Sequence, residues 1–400
     1  MECVVLAAGE GKRMRPLTAS RPKVMLPVAN RPMLEHLLIA VRNAGISEFV
    51  FVVGYHEQEI RNHFKDGSSF GVNISYTVQR RQMGTADALL AAEGLVSGRF
   101  LLLNGDMILN SADITRFCSY DAPCIGTYES SHPEDFGVVV SDGEIVTGLF
   151  EKSKKPPGNI INAGIYLFEP VIFGILKSLS LSERGEYELT DALEDYIRKG
   201  ELKSCILSSW YDIGEPWNLL DANESMMQSA KDIIFGAVEE NVFIHGNLSL
   251  GKGSVIKSGT YIEGSCIIGE NCSIGPHAYI RGSTAIGDNC HIGHSVEVKN
   301  SVIFNNTKIP HFNYVGDSVI GSGCNFGAGT KIANLRHDRK NVRAGGQDTK
   351  RRKFGAVVGD DVQLGINCSV NAGAVIGSRV AAAPGSYLEG RINDDVRIGR

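Results

Sequence analysis

The segment Leu6-Ala-Ala-Gly-Glu-Gly-Lys-Arg-Met-Arg-Pro-Leu-Thr18 follows an apolar run and combines small residues with a concentration of cations. Glycine amides at such a turn, here those of Gly9 and Gly11, can approach a triphosphate closely while Lys12, Arg13 and Arg15 offset its charge. The spacing is neither that of the Walker lysine loop nor the GxGxxG of dinucleotide-binding folds. Taken alone, the two glycines could simply end a strand. Further along, Asn104-Gly105-Asp106 and Trp210-Tyr211-Asp212-Ile213-Gly214 each supply a carboxylate of the type that holds a hard cation.

The elements around these residues bring them toward one place. From Met1 to about Trp217, apolar strands alternate with helical segments, the pattern of an α/β fold with a largely parallel sheet. Glu2 to Leu6 reads as the first strand, Met33 to Ala44 as a helix stopped by Gly45, Phe49 to Val53 as the next strand, and Phe100 to Leu103 as a buried strand running into Asp106. In such folds ligands sit at the carboxyl ends of strands, where the cationic turn and both aspartates fall.

After Val238 the period changes to six. Aliphatic residues stand at Ile244, Leu250, Ile256, Ile262, Ile268, Ile274, Ile280, Ile286, Ile292 and Val298 without a gap, then resume at Ile309, Val315, Ile320, Phe326 and Ile332, and again at Val358, Leu364, Val370, Ile376 and Leu388. Neither an α-helix nor an ordinary strand has this period; hexapeptide repeats build a solenoid in which each coil stacks its aliphatic residue on the next. The fold expected is a left-handed parallel β-helix, with Gly269, Gly275, Gly287 and Gly293 at tight corners. Leu219 to Lys231 reads as a bridging helix, and Asn334 to Lys353 as a loop ejected from the coil. The expected division is therefore 1–217, a helical linker 218–237, a coil 238–390 and a tail 391–400.

A chain of 400 residues with 43% hydrophobic content exceeds what one core usually organises. Its net charge of −5 gives no global reason to expect nucleic acid or membrane as partner, and no apolar run approaches the ~20 residues that span a bilayer; the chain reads as cytosolic. The nine cysteines include no CxxC pair. Cys266, Cys272, Cys290, Cys324 and Cys368 each stand two residues before a repeat position, as small core residues do.

With Arg21-Pro22-Lys23, the opening segment resembles the signature of the sugar-1-phosphate nucleotidyltransferases. Further matches follow in the family's order: Gln79, Gln82, Gly84 and Thr85 resemble the base-reading segment, Asp106 and Asp212 the two metal positions, and Gly137, Glu151, Lys152 and Asn162 the sugar pocket. The resemblance implies a Rossmann-like domain in which Leu6, Ala8, Gly9 and Gly11 line the nucleotide and Asp106 and Asp212 hold Mg²⁺. It also implies that Arg15 and Lys23 bind the pyrophosphate leaving group, Lys152 the sugar phosphate and Glu151 sugar hydroxyls. Asp212 is like the residue of thymidylyltransferases and guanylyltransferases at a position where bacterial uridylyltransferases usually carry asparagine. The segment from Gln79 resembles the pyrimidine users more, so UTP or dTTP is expected.

The stretch Arg281, Lys299, Lys308-Ile-Pro-His311, Tyr314-Val-Gly-Asp317, Asn325 to Thr330, Asn334 and Lys340 resembles the acetyltransferase domain of bifunctional N-acetylglucosamine-1-phosphate uridylyltransferases, without a gap. The resemblance implies acetyl transfer from acetyl-CoA to an amino-sugar 1-phosphate. In that reading His311 is the base, Asn334 holds the amine or helps the oxyanion, Arg281, Lys299, Tyr314 and Lys340 hold the phosphate, and Ala328 offers backbone to the acyl group. Such sites form between neighbouring coils of a homotrimer, or of a dimer of trimers. His245, His277, His291 and His294 read as structural. Ile366 departs from the family, which has a cofactor-contacting serine there, and Lys350-Arg-Arg-Lys353 is either a site for CoA phosphates or a solvated run. Two other readings stay open: a coil that only assembles or regulates a hexose-1-phosphate nucleotidyltransferase, and a nucleotide-binding scaffold without catalysis.

Overall fold

The computed structural model describes residues 1–151, 153, 155–228 and 231–399. The chain divides into two compact units, one of Met1–Glu10, Pro22–Met25 and Met33–Asp212, the other of Gly11–Arg21, Leu26–Pro32 and the residues from Ile213 onward. The cationic segment is thus shared out: Leu6 to Gly9 belong to the first unit, and Lys12, Arg13 and Arg15 to the second.

The first unit is built on a nine-stranded sheet. Its strands, in chain order, are β1 (Glu2–Ala7), β2 (Glu48–Val53), β3 (Asn73–Val78), β4 (Phe100–Asn104), β6 (Cys124–Glu129), β7 (Gly137–Asp142), β8 (Ile145–Glu151), β9 (Ile160–Phe168) and β10 (Lys203–Ile206); β5 (Met107–Leu109) and β11 (Trp210–Asp212) pair apart from it. Strands β3-β2-β1-β4 are parallel. From there the sheet departs from the largely parallel expectation, because β9 runs antiparallel to both β4 and β6, and β8 antiparallel to β7. The β7–β8 connection turns at Gly143 (φ +59°), and so tight a turn joins only antiparallel neighbours.

Strand β2 is an unbroken apolar run because it is covered on both faces. Phe49, Phe51 and Val53 pack with Leu34, Leu37 and Leu38 of α1 (Met33–Asn43), whereas Val50 and Val52 pack with Ala86 and Leu89 of α2 (Thr85–Leu90) and Leu193 of α3 (Leu189–Lys199). Gly45, at φ +93°, follows the end of α1.

The second unit carries three stacks of short parallel strands, of nine, nine and eight, consistent with a left-handed β-helix. Ile262 pairs with Ile280 one coil on, and Ile280 with Val298. The hexad residues from Ile256 to Val298 are almost fully buried in one continuous core, with Cys266, Cys272, Cys290, Cys324 and Cys368 among them. α4 (Asn218–Gln228) precedes the coil.

Three details differ from expectation. Of the four glycines assigned to corners, only Gly275 has a positive φ, of +90°; the other left-handed corners are shared between different glycines, such as Gly253 (φ +76°), and asparagines such as Asn271 (φ +54°) and Asn289 (φ +57°). Gly269, Gly287 and Gly293 are needed for close stacking instead: a Cβ on Gly293 would lie 1.9 Å from the Pro310 carbonyl of the next coil. The loop after Asn334 is only partly ejected, since Val342, Ala344 and Thr349 are buried and Arg343–Ala344 pairs with Gln347–Asp348. Finally, the coil runs through the expected tail, with Ile376 pairing Ile392 and Ala382 pairing Ile398.

Candidate active sites

In the first unit, backbone geometry explains why glycine recurs where the strands end. The Leu6 carbonyl accepts the Gly105 N–H at 2.9 Å, and a Cβ on Gly105 would stand 2.8 Å from that oxygen. The close approach carries Asp106 to the end of β1. Asp212 pairs with Met107 in the β5–β11 ladder, so the second aspartate lies across from the neighbour of the first. Lys23, only 7% exposed, places its ammonium 2.5 Å from Asp106 Oδ2. A buried lysine must find such a partner, because an unpaired charge away from water is costly. Around Gly9 a Cβ would meet nothing within 4 Å, which leaves the turn open to a ligand.

Gln82 donates its side-chain amide to the Ala8 carbonyl at 2.9 Å, tying the second segment to the first turn. Gln79 donates to the Gly84 carbonyl at 3.0 Å and to Asp87 at 2.8 Å; its NH₂ group braces the start of α2. Gly84 sits at φ +108°, with a Cβ position 2.4 Å from the Tyr187 carbonyl, so no other residue fits. Thr85 accepts the Leu189 N–H and holds α3 against α2.

The residues that resemble the family's sugar pocket lie on adjoining strands. Gly137 is the register partner of Glu151, whose carboxylate would be 2.8 Å from a Cβ there. Asn162 donates to the Tyr166 hydroxyl at 2.8 Å and accepts the Gly164 N–H at 3.0 Å, at an irregularity in β9. Lys152 lies outside the described residues. In the second unit, Thr18 donates to the Gly11 carbonyl and closes the cationic loop. Arg13 is 3.5 Å from Glu215, and Arg15 lines a cavity of about 310 Å³ with Arg391, Asn393 and Asp394.

On the coil, a polar cluster forms on the face of strands Tyr279–Arg281, Glu297–Lys299 and Tyr314–Gly316, which stack in register. Its centre is Asp317, 2% exposed, which receives Lys299 Nζ at 3.0 Å, Asn300 Nδ2 at 2.9 Å and Asn334 Nδ2 at 2.5 Å. Asn334 also donates to the Tyr314 hydroxyl at 3.1 Å, so the group it can present to an amine is its oxygen, an acceptor, rather than a donor for an oxyanion. Arg281 pairs with Glu297 at 2.8 Å. Burial, reinforced by Glu297 and Asp317, holds the Tyr314 phenol above its ordinary value, so it stays a hydrogen-bond donor. A Cβ on Gly316 would be 2.5 Å from the Tyr314 hydroxyl and 2.8 Å from Asn334.

His311 ends the strand Lys308–His311 on an adjacent stack, exposed and in register with His294. It is three residues from Tyr314, around one corner of the coil. The Ala328 carbonyl accepts the Asn367 N–H at 2.8 Å. Lys340 is exposed in the loop, its N–H held by Asp338. His277, His294 and Phe312 meet edge to face in succession down a corner. Ile366 is exposed, and in the basic run Arg351 pairs with Asp221 of α4 rather than standing solvated. The sequence assigns no role to Asp317 or Glu297. Asp317 stood inside the matched run, and an acid among three cations was the signal that could have found it.

Residues 2–229 match the Nucleotidyl transferase family, and the chain belongs to it. Residues 262–384 match the GMPPB C-terminal domain family. A "Bifunctional protein GlmU" of Methanococcus maripaludis is 47% identical over 386 residues, covering 94% of this chain and 92% of its own. A "Bifunctional sugar-1-phosphate nucleotidylyltransferase/acetyltransferase" of Sulfurisphaera tokodaii is 38% identical over 412 residues, covering 100% and 99%. Among solved structures, a protein of Bacillus anthracis assigned as a glucose-1-phosphate thymidylyltransferase, in complex with sucrose, is 30% identical and covers 59% of this chain and 97% of its own, with a TM-score of 0.53. The chain thus spans nearly the full length of relatives named for two activities.

Proposed function

We propose that the chain is a bifunctional enzyme that acetylates glucosamine or galactosamine 1-phosphate with acetyl-CoA, then transfers a nucleotidyl group from UTP or dTTP to the product, releasing pyrophosphate. The observation that carries it is the presence in one chain of two separate polar sites, Lys23–Asp106 with Asp212 and the Asp317-centred cluster with His311. The relatives' printed names support both activities.

In nucleotidyl transfer a sugar phosphate attacks the α-phosphorus in line, and repulsion between anions and positioning are the main obstacles. Asp106 and Asp212, hard oxygen donors of which the second pairs with Met107, the residue after the first, fit Mg²⁺, which commonly takes one or two carboxylates with substrate phosphates. When bound there, Mg²⁺ supplies charge neutralisation at the transferring phosphoryl group. Lys23 and Arg15 would supply positive charge to the leaving pyrophosphate. Glu151 and Asn162 accept sugar hydroxyls beside Gly137, and Lys152 meets the sugar phosphate.

In acetyl transfer an ammonium must lose a proton before it can attack a thioester. His311, an exposed imidazole at the end of its strand, takes it. Asn334 orients the amine, Arg281, Lys299, Tyr314 and Lys340 hold the phosphate, and Ala328 faces the acyl group. The coil assembles as a homotrimer, or a dimer of trimers, with sites between neighbouring coils. The protein works in the cytoplasm. Among the described residues, no helix is long and apolar enough to cross a membrane.

A panel of sugar phosphates and nucleotides, followed by pyrophosphate and CoA-thiol release, tests this reading. Both products are expected, the thiol only with amino-sugar phosphates. Pyrophosphate without thiol would select a hexose-1-phosphate nucleotidyltransferase with a non-catalytic coil. Light scattering is expected to give a multiple of three chains; a monomer would remove the trimer and the intersubunit acetyl site.

A further inference from the structure

We propose that a cavity in the first unit, at the end of its sheet remote from Asp106, is a binding site for a hydroxylated organic ammonium, the chemistry of an amino sugar. The cavity, of about 400 Å³, lies where β6, β8 and β10 begin and β9 ends. Phe168, the last residue of β9, pairs with Phe100, the first of β4, whereas Asp106 comes after the last. The length of β4, about 15 Å at ~3.3 Å per residue, therefore stands between the cavity and Asp106. No residue placed in the nucleotidyl site lines it.

The group that calls for a ligand is Tyr196 of α3. It is only 5% exposed, yet its hydroxyl makes no hydrogen bond among the described residues and is not sealed within the protein, so it meets the space of the cavity it lines. Buried polar groups normally have a partner. The ring is held in place, stacked on Phe168 at 6.4 Å and 21°, with Phe168 stacked in turn on Tyr166 at 5.6 Å and 9°. Burial, reinforced by Glu201, Glu169 and Asp195, pushes the phenol up to about 12, so it is a fixed donor at neutral pH. Its ligand must bring an acceptor oxygen.

The lining sets the ligand's charge. Lys203 is taken by Asp121 at 2.9 Å, and Glu169 and Glu201, exposed and in no ion pair among the described residues, remain as uncompensated carboxylates. That surplus repels phosphates and nucleotides and attracts a cation. Pro123, Ile145 and Val171 supply apolar wall, against which the C–H face of a pyranose can pack. A neutral sugar would satisfy the phenol and leave the carboxylates unused, and a bare diamine would do the reverse. An ammonium with hydroxyls beside it serves both.

The site is independent of both catalytic readings, and unphosphorylated probes test it on the full-length chain. Calorimetric titration is expected to give glucosamine a Kd of about a millimolar, ordinary for so small a ligand. Glucose, which lacks the charge, should bind at least about tenfold more weakly. Tyr196→Phe keeps the ring stack and removes the donor. It should weaken glucosamine about fivefold and leave putrescine unchanged, while the thermal midpoint holds or rises, because the hydroxyl has no partner in the fold to lose. Glu201→Gln should weaken both amines. Glucosamine that fails to bind at tens of millimolar, that binds no better than glucose, or that binds Tyr196→Phe as it binds wild type overturns the inference. A midpoint that falls in Tyr196→Phe would give the hydroxyl a partner within the protein and overturn it as well.

Discussion

The Asp106→Ala protein is expected to release pyrophosphate at least about 10³-fold more slowly than wild type, a loss of the size that several kcal/mol of transition-state charge stabilisation implies. Asp106 is where β4 turns, held there by the Leu6–Gly105 contact, and Asp212 pairs with the next residue, Met107. If the two carboxylates share Mg²⁺ as proposed, removing either would leave a lone donor. Asp106→Ala has a second effect, because Lys23 is buried and would lose its 2.5 Å partner. Asp212→Ala leaves that pair in place, so the two variants separate metal loss from lysine displacement. Steady-state pyrophosphate release across a magnesium titration reads both, with CoA release as the control for folding. Undiminished, EDTA-resistant transfer by Asp106→Ala would dismiss the metal role.

The second large effect is expected at His311. Removing a positioned general base costs about 10²–10⁴ in rate, so His311→Ala should lose that much CoA release with glucosamine 1-phosphate while pyrophosphate release stays near wild type. The residue is exposed at the end of its strand, and its register partner His294 keeps the edge-to-face contact with Phe312. Truncation should therefore spare the coil. A circular-dichroism melt within a few degrees of wild type, alongside the rate loss, assigns the effect to chemistry. Wild-type acetylation by His311→Ala would instead return the histidine to a structural role and the coil to the assembly reading.

Much of the architecture was legible because its signals are periodic. The hexads from Ile244 to Val298 fall one per strand, and the cysteines two residues before them enter the same core. Strand direction was not legible: β2 and β9 are both apolar runs, and an apolar run covered on both faces looks the same whichever way its neighbour points. Corner conformation was misassigned for a related reason. Glycine satisfies both a positive φ and a close approach, and the sequence does not say which one Gly287 or Gly293 serves. In the sites, residue types were readable and their partners were not. Lys23 against Asp106 spans 83 positions, a separation that no local pattern encodes.

Eight of the nine thiols are buried, and the ninth, Cys118, is half-buried. Burial pushes Cys266 and Cys324 up to about 12, so at neutral pH they are neither accessible nor ionised, and the thiolate is the reactive form. The coil therefore carries its own reporter. A maleimide or iodoacetamide that modifies the native protein slowly at Cys118 gains a new target whenever a coil separates from its neighbour, and mass mapping of the labelled peptides would reveal which turns of the solenoid open first.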